Sequence, residues 1–489
     1  MQANKLFKGI ANVQATGAGS ALKITGIALD SRRCRKGSLF IALPGQKTDG
    51  QSFITDALNR GAVAILTDET LRFPLPEAKN DYAVFRHPDP QQICGEIAAR
   101  FFSPQPRHIA AVTGTNGKTS VAHFCRELWQ LMGMESASIG TLGVIHGNKA
   151  PEETGLTSPD VVTLHASLKR LAKEKVSHVC LEASSHGLYQ HRLNGVKLEA
   201  AAFTNLSHDH LDYHGTVEAY LSAKLMLFKE LLPEGAPAIL NADDPVFPQV
   251  KDACVQRGQQ VIGYGISGQE VCLHSVVPQA EGQAIDGQFF GQKFSTTIPL
   301  YGAFQAMNLL CAAALVRSMG VMSEGILPLL AQVRSVPGRM ERVALHPSGA
   351  PVIVDYAHTP DGLEKALVAM RPYATGRLVV VFGCGGDRDA TKRPEMGKIA
   401  ARLANQVIVT DDNPRHEEAS QIRQQIMAAC PDANEIGDRR EAIAHALTGL
   451  QKEDVLLVAG KGHERGQIIG DTVHPFKDAG VIQEMLACI

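Results

Sequence analysis

The sequence predicts an α/β protein of three successive units with mostly parallel sheets, and three observations carry that prediction. The chain has 489 residues, 44% of them hydrophobic, enough for about three domains with cores of their own. A buried apolar strand at Ile109 runs through a glycine turn into a helix opening at Lys118-Thr119. From Val352 to Ala459 strands and helices alternate at the spacing of βαβ units, which implies a right-handed, parallel, Rossmann-like sheet.

Composition excludes several classes. The 48 basic residues nearly balance 50 acidic ones, so neither a nucleic-acid surface nor a charged tail is expected. Ten cysteines, from Cys34 to Cys488, stand singly without Cys-x-x-Cys pairs and read as reduced thiols. The N-terminus has no signal-peptide core and no run has the length of a membrane span, so a cytoplasmic protein is expected.

In the first unit, residues 1–106, short strands at Ile24 and Leu39, a helix Phe53 to Arg60 and a strand at Ala62 give a small α/β domain. Asp30-Ser-Arg and the turn Gly45-Gln-Lys-Thr-Asp-Gly50 carry exposed donors that, taken alone, read as turn chemistry. Pro104-Gln-Pro106 marks the boundary, because proline restricts itself and the residue before it.

The second unit, residues 107–336, opens on Gly114-Thr-Asn-Gly-Lys-Thr-Ser120. Such a turn aims backbone N–H groups at a polyphosphate, with Lys118 for the outer phosphates and the Thr119 hydroxyl for Mg²⁺. Val112 stands where the longer phosphate-loop pattern has glycine. A helix Ser120 to Met132 carries the sole tryptophan, Trp129, read as core. Thr157-Ser-Pro-Asp160 reads as a helix start with Ser158 as cap and Pro159 at the first helical position. Glu182 ends a strand where ligands bind α/β sheets, a candidate Mg²⁺ ligand. Asn205 to His214 holds three histidines and two aspartates, a loose match to zinc and a better one to one or two Mg²⁺ contacts. In a helix Val217 to Leu231, Lys224 by itself reads as a surface charge. Val271 to Leu300 reads as an antiparallel annex, and a helix Ala303 to Met319 contains Gln305 and Asn308.

Ser335 to Glu341 reads as a linker into the third unit, residues 337–489. Its strand ends carry Asp355-Tyr-Ala-His358, Gly383 to Asp389 with Arg388, Asp411-Asp-Asn-Pro-Arg415 and Gly460-Lys-Gly-His-Glu464. Such edges converge on one crevice, a second ligand site.

Together these motifs resemble the Mur ligase family, in its MurE type, over essentially the full length. The resemblance implies an N-terminal domain for a UDP sugar, a central phosphate-loop ATPase domain and a C-terminal Rossmann-like domain for an amino acid. The implied reaction joins meso-diaminopimelate to UDP-N-acetylmuramoyl-L-alanyl-D-glutamate with ATP and Mg²⁺, in a monomer without a nucleic-acid or membrane partner. It assigns Leu29, Ser31, Gln46, Lys47 and Thr48 to the uridine nucleotide, and Thr157, Ser158, Ser184, Gln190 and Arg192 to the sugar peptide. ATP falls to Gly114, Thr115, Asn116, Gly117, Lys118, Thr119, Ser120, Asn308, Arg339, Asp355 and His358, with Thr119, Glu182 and His210 around Mg²⁺. Lys224 matches a lysine that family members carry as a carbamate, an anion suited to a metal. Lys118, Lys224 and His210 are the implied catalytic residues. The Asp412-Asn413-Pro414-Arg415 signature implies diaminopimelate, with Arg388 and Arg415 for a carboxylate, Asp412 and Glu464 for an ammonium, and Gly460 as a backbone contact. Ser158 and Gln305 depart from the threonine and asparagine frequent in the family, and both keep hydrogen-bonding capacity. The competing readings are a lysine-adding ligase, a folylpolyglutamate synthetase and a nucleotide-switch ATPase.

Overall fold

A computed structural model describes every residue except 18–21, 46–47, 76–81, 148, 208 and 489. Gln46 and Lys47 therefore lie outside the described residues. By contacts the chain divides into two units, Met1–Gly263 with Ala314–Gly320, and Tyr264–Ala313 with Val321–Ile489.

The first unit begins with β1 (Gln14–Gly17), β2 (Gly26–Ala28), β3 (Ser38–Ile41), β4 (Ala62–Thr67) and β5 (Ala83–Arg86). They pair in the order β1-β5-β4-β3-β2, parallel except for β1. Helix Pro90–Phe101, capped by Asp89, turns Ile93, Ile97 and Ala98 onto this sheet's core.

The second sheet of this unit uses β6 (His108–Thr113), β7 (Ser136–Gly140), β8 (Gly143–His146), β9 (His178–Glu182), β10 (Ala200–Phe203), β11 (Pro237–Asn241) and β12 (Gln260–Gly265). Their order is β12-β11-β10-β6-β9-β7-β8, so β6 lies between β9 and β10, parallel to both. The burial of β6, β9 and β10 along their length explains continuous apolar runs such as Ile109 to Val112. Trp129 is fully buried in helix Lys118–Leu131, as its apolar setting predicts.

Two expectations are corrected here. Helix Val161–Lys173 is capped by Asp160, whose carboxylate accepts from Val162 and Thr163 N–H, so Pro159 precedes the cap and Ser158 is not the cap. Asp160 wins because the Ser158 hydroxyl is bonded across the sheet edge to Glu182 O at 2.8 Å. The helix bearing Lys224 is α-helical only over Val217–Met226 and widens to a π-turn over Leu227–Leu231. The Gln259 side chain donates to Phe228 O and Leu232 O at that end, supplying bonds the wider turn lacks.

In the second unit β13 (Val271–Gln279), β14 (Gly282–Phe289) and β15 (Gln292–Ile298) form the expected antiparallel annex. The remaining sheet comprises β16 (Glu341–Leu345), β17 (Pro351–Asp355), β18 (Leu378–Phe382), β19 (Gln406–Val409), β20 (Asn434–Glu435) and β21 (Val455–Ala459). Its order, β16-β17-β21-β18-β19-β20, is parallel apart from the edge strand β16. Glu341 thus opens a strand instead of ending a linker. A two-stranded hairpin, β22 (Gly466–Ile469) and β23 (Thr472–Pro475), follows β21; neither was expected from the apolar pattern, because their residues are exposed or half-buried.

Candidate active site

In the first unit the phosphate loop leaves the carboxyl end of β6, flanked by the ends of β9 and β10. Gly114, at φ 144°, brings the backbone against Thr204; a Cβ there would lie 1.9 Å from the Thr204 hydroxyl oxygen. The loop is then pinned residue by residue. Thr115 N–H donates to Asn205 O at 2.8 Å, Asn116 N–H to Asn205 Oδ1 at 2.9 Å, and the Thr204 hydroxyl to Asn116 O at 2.6 Å. Gly117, in the left-handed region, opens the helix Lys118–Leu131, whose N-terminal N–H groups and dipole favour an anion. Ser120 is buried in its first turn.

Lys118 folds back over the loop, its Nζ donating to Gly114 O and Thr115 O at 2.8 Å each. The Thr119 hydroxyl donates to Glu182 Oε2 at 2.9 Å, and Glu182 also accepts from Thr141 N–H at 2.8 Å and from the Thr141 hydroxyl at 3.2 Å. A hydroxyl and a carboxylate placed together are hard oxygen donors of the kind Mg²⁺ takes alongside phosphate and water.

Lys224 is buried, 1% exposed, contrary to a surface charge. Its Nζ donates to Gly114 O at 2.7 Å and stands 4.2 Å over the Tyr220 ring. Burial, and then the nearby Lys118 charge, push its ammonium well below the ordinary 10.5. That shift lessens the cost of losing the positive charge beside the loop. His210, in the left-handed conformation and with its side chain 47% exposed, has Nε2 3.6 Å from Asp209 and its ring 6.1 Å from Tyr220. Among the described residues no group of three or more His, Cys, Asp or Glu is arranged to hold a metal; His208 of the same stretch lies outside the described residues.

Next to Glu182 a second chain of bonds gathers the residues expected at the sugar peptide. Thr157 meets the Thr141 hydroxyl at 3.1 Å, and Ser158 accepts from Ser184 N–H at 2.9 Å. Arg192 donates to Ser158 O at 2.7 Å and to Gln190 Oε1 at 2.6 Å, and Gln190 donates to the Tyr213 hydroxyl. Leu29 and the buried Ser31 lie at the end of β2, where Asp30 caps a short turn by accepting from Arg32 N–H. Thr48 is exposed.

In the second unit Asp355, at the end of β17, accepts from Met340 N–H at 2.7 Å and Ala357 N–H at 2.8 Å. Burial raises its carboxyl, with Arg339 pulling the other way. Arg339 stands 4.5 Å over the Tyr356 ring, and Gln305 bonds both Arg339 O and Asn308. His358 is exposed and held by its Nδ1 to Tyr356 O. Two loops meet at the ends of β18 and β19. Gly386 N–H donates to Asn413 O at 2.9 Å and Arg415 Nη1 returns to Gly386 O at 2.7 Å, with Arg388 exposed beside them. Asp412, Asn413 and Pro414 are buried below, and burial raises the Asp412 carboxyl. Gly460, at φ 111°, lets Asp412 approach, since a Cβ there would lie 2.7 Å from its carboxylate. Glu464 accepts from Asn413 Nδ2 at 2.9 Å.

Three family models match successive stretches: Mur ligase family, catalytic domain, over 23–102; Mur ligase middle domain over 112–316; and Mur ligase, glutamate ligase domain, over 338–462. The UDP-N-acetylmuramoyl-L-alanyl-D-glutamate--2,6-diaminopimelate ligase of Brucella melitensis biotype 1 is 47% identical over 97% of this chain and 96% of its own. The chain belongs to the Mur ligase family. A ligase of the same name from Caulobacter vibrioides is 48% identical over 93% of this chain and 94% of its own. A solved structure so named aligns with TM-score 0.74 at 31% identity, over 100% of this chain and 99% of that one. MurF ligase from Thermotoga maritima, in complex with ADP, shares the fold at 17% identity and TM-score 0.63, over 95% of this chain and 97% of its own.

For this Mur ligase, sequence reasoning missed three side chains that the fold brings to these sites. Thr141 binds Glu182 twice, Tyr220 lies under Lys224, and Lys461 lies under Asn413 and Glu464. Tyr220 had a signal in its spacing, four residues before Lys224 on one helix face. Thr141 had none, its partner Glu182 being 41 residues away; Lys461 stood in the Gly460 to Glu464 strand end, three residues before Glu464, but its other partner, Asn413, is 48 residues away.

Proposed function

We propose that this Mur ligase is an ATP-dependent amide ligase that joins meso-diaminopimelate to the D-glutamate γ-carboxylate of UDP-N-acetylmuramoyl-L-alanyl-D-glutamate, in peptidoglycan precursor synthesis. The observation that carries the reading is 47% identity, over nearly both full lengths, to ligases bearing that name. The Arg415 loop supports the choice of amino acid, since the extra carboxylate of diaminopimelate needs a countercharge that lysine does not.

The γ-carboxylate attacks the ATP γ-phosphate, giving an acyl phosphate and ADP; the incoming amine then attacks the acyl carbon, giving the amide and phosphate. Lys118 leaves its two loop carbonyls to meet the phosphates, while the loop N–H groups and the helix terminus hold their charge. Thr119, Glu182, His210 and Lys224 as a carbamate would hold Mg²⁺, which when bound neutralises phosphate charge. Carbamoylation requires the neutral amine that the burial of Lys224 favours: its nitrogen adds to the carbon of CO₂ and a proton leaves. Asn308, Arg339, Asp355 and His358 serve ATP; Leu29, Ser31, Gln46, Lys47, Thr48, Thr157, Ser158, Ser184, Gln190 and Arg192 serve the UDP precursor. Arg388, Asp412, Asn413, Pro414, Arg415, Gly460 and Glu464 serve diaminopimelate.

Three domains, 1–106, 107–336 and 337–489, fit three substrates and parallel the three family matches. We read the enzyme as a cytoplasmic monomer; no described helix is long and apolar enough to cross a membrane. The test is phosphate release with ATP, Mg²⁺ and the UDP precursor, comparing meso-diaminopimelate, L-lysine and no amine. Turnover confined to diaminopimelate, with a tripeptide product by mass, is the expected result. Turnover with lysine overturns the specificity, and release indifferent to amine overturns the ligase.

A further inference from the structure

Beneath the loop that carries Asn413 lies a cation to which the reading above gives no role. Lys461 is fully buried, 0% exposed, between Gly460 at φ 111° and Gly462 at φ 52°. The second glycine is sterically required: a Cβ there would lie 2.8 Å from Gly338 O and from the Tyr356 Cβ. The Lys461 Nζ donates to Asn413 Oδ1 at 3.0 Å and to Glu464 Oε2 at 3.1 Å.

We propose that Lys461 is a positioning residue of the amino-acid site, whose ammonium fixes the Asn413 amide and the Glu464 carboxylate in the orientation that receives a diamino acid. The inference rests on the diaminopimelate reading. Its basis is donor and acceptor arithmetic. An ammonium only donates, and Asn413 Oδ1 already accepts from Ile468 N–H at 2.9 Å. Turning the amide over would set its NH₂ against two donors, so the oxygen must face Lys461. The Nδ2 is thereby left to donate to Glu464 Oε2, at 2.9 Å.

The same carboxylate oxygen therefore takes one bond from Lys461 and one from Asn413, which settles the direction in which the Glu464 side chain lies. Burial of a charge is costly unless it is paired and hydrogen-bonded, and these acceptors provide the pairing. The pair is asymmetric: the lysine side chain is 0% exposed and the glutamate side chain 32%, so solvent and substrate reach the anion and not the cation. Burial raises the Asp412 carboxyl, and Arg439 and then Lys461 draw it back down. Lys461 thus sets the Glu464 carboxylate that the diaminopimelate reading assigns to the substrate ammonium, without touching substrate itself.

The experiment is steady-state phosphate release by the full-length enzyme carrying Lys461→Met, Lys461→Gln or Lys461→Arg, varying diaminopimelate, ATP and the UDP precursor in turn. For Lys461→Met the expected result is a KM for diaminopimelate raised by about tenfold or more, with the other two KM values within about twofold of wild type. Lys461→Arg, still a buried cation and donor, should recover part of that loss. An unchanged KM for diaminopimelate, or an equal change in all three KM values, overturns the inference. If Lys461→Met does not melt cooperatively, Lys461→Gln, which keeps a donor toward Asn413, is held to the same split. Wild-type turnover that ignores diaminopimelate overturns the substrate reading and this inference with it, an outcome separate from a wild-type response that the variants share.

Discussion

Lys118 and Lys224 direct their side-chain nitrogens at one carbonyl oxygen, that of Gly114, at 2.8 and 2.7 Å. Burial, and then the charge of Lys118 on the same acceptor, hold the Lys224 ammonium well below its ordinary range, and of the two only Lys224 is fully out of solvent.

This arrangement sets a pH dependence. The native Lys224 binds its proton well below the ordinary 10.5 of the unfolded chain, so between those two values the unfolded state holds more protons and stability rises with pH. In CO₂-free buffer the melting temperature of wild type relative to Lys224→Met should climb across that window; parallel curves would mean a charged lysine. Lys224→Ala should lose phosphate release and regain part of it with short carboxylates that replace the carbamate.

Gly140 ends β7 against Glu182, and a Cβ there would lie 2.0 Å from Glu182 Oε1. Gly140→Ala should displace a carboxylate held by Thr119 and Thr141, lowering kcat by about 10²-fold through misplacement alone. The overpacking should cost about 1–3 kcal/mol in chemical denaturation. Retention of wild-type kcat would remove Glu182 from the chemistry.

Arg415 spends one nitrogen on Gly386 O, which anchors its fork at the loop between β18 and the following helix. Arg415→Lys keeps the charge and loses the planar geometry, so the KM for diaminopimelate should rise by about tenfold, near the 1.5–3 kcal/mol of a charged hydrogen bond. Competition between diaminopimelate and lysine, read by product mass, should move toward lysine.

Arg439 and Asp478 form a two-bond ion pair with both side chains 0% exposed, and Arg439 also donates to Ala459 O at 2.9 Å. Arg439→Met alone strands a buried carboxylate and should cost about 3–5 kcal/mol in urea denaturation. Arg439→Met with Asp478→Leu should cost less than the single change, because no charge is left unpaired. A double variant weaker than the single would contradict that account.

Much of this was legible in the chain. The run Ile109 to Val112, the glycine turn and Lys118-Thr119 specify strand, loop and helix locally, because parallel buried strands are apolar throughout and glycine supplies the turn. The alternation after Val352 likewise gave the parallel sheet of β17 to β21, and polar residues at its strand ends pointed to the Arg415 loop. These signals are short-range, so one sequence is enough to read them.

Tertiary structure alone decided the rest. A lysine on an amphipathic helix reads the same whether it faces water or the core, and only packing against Gly114 and Tyr220 buries Lys224. Ser158 could have capped its helix; the competing acceptor at Glu182 O, 24 residues away, drew its hydroxyl elsewhere and left the cap to Asp160. Lys461 stands in a polar strand end, but its particular task follows only because folding brings Asn413 from 48 residues away onto its nitrogen. Local propensity fixes which elements form, while burial and hydrogen-bond competition between distant residues fix what each polar side chain does.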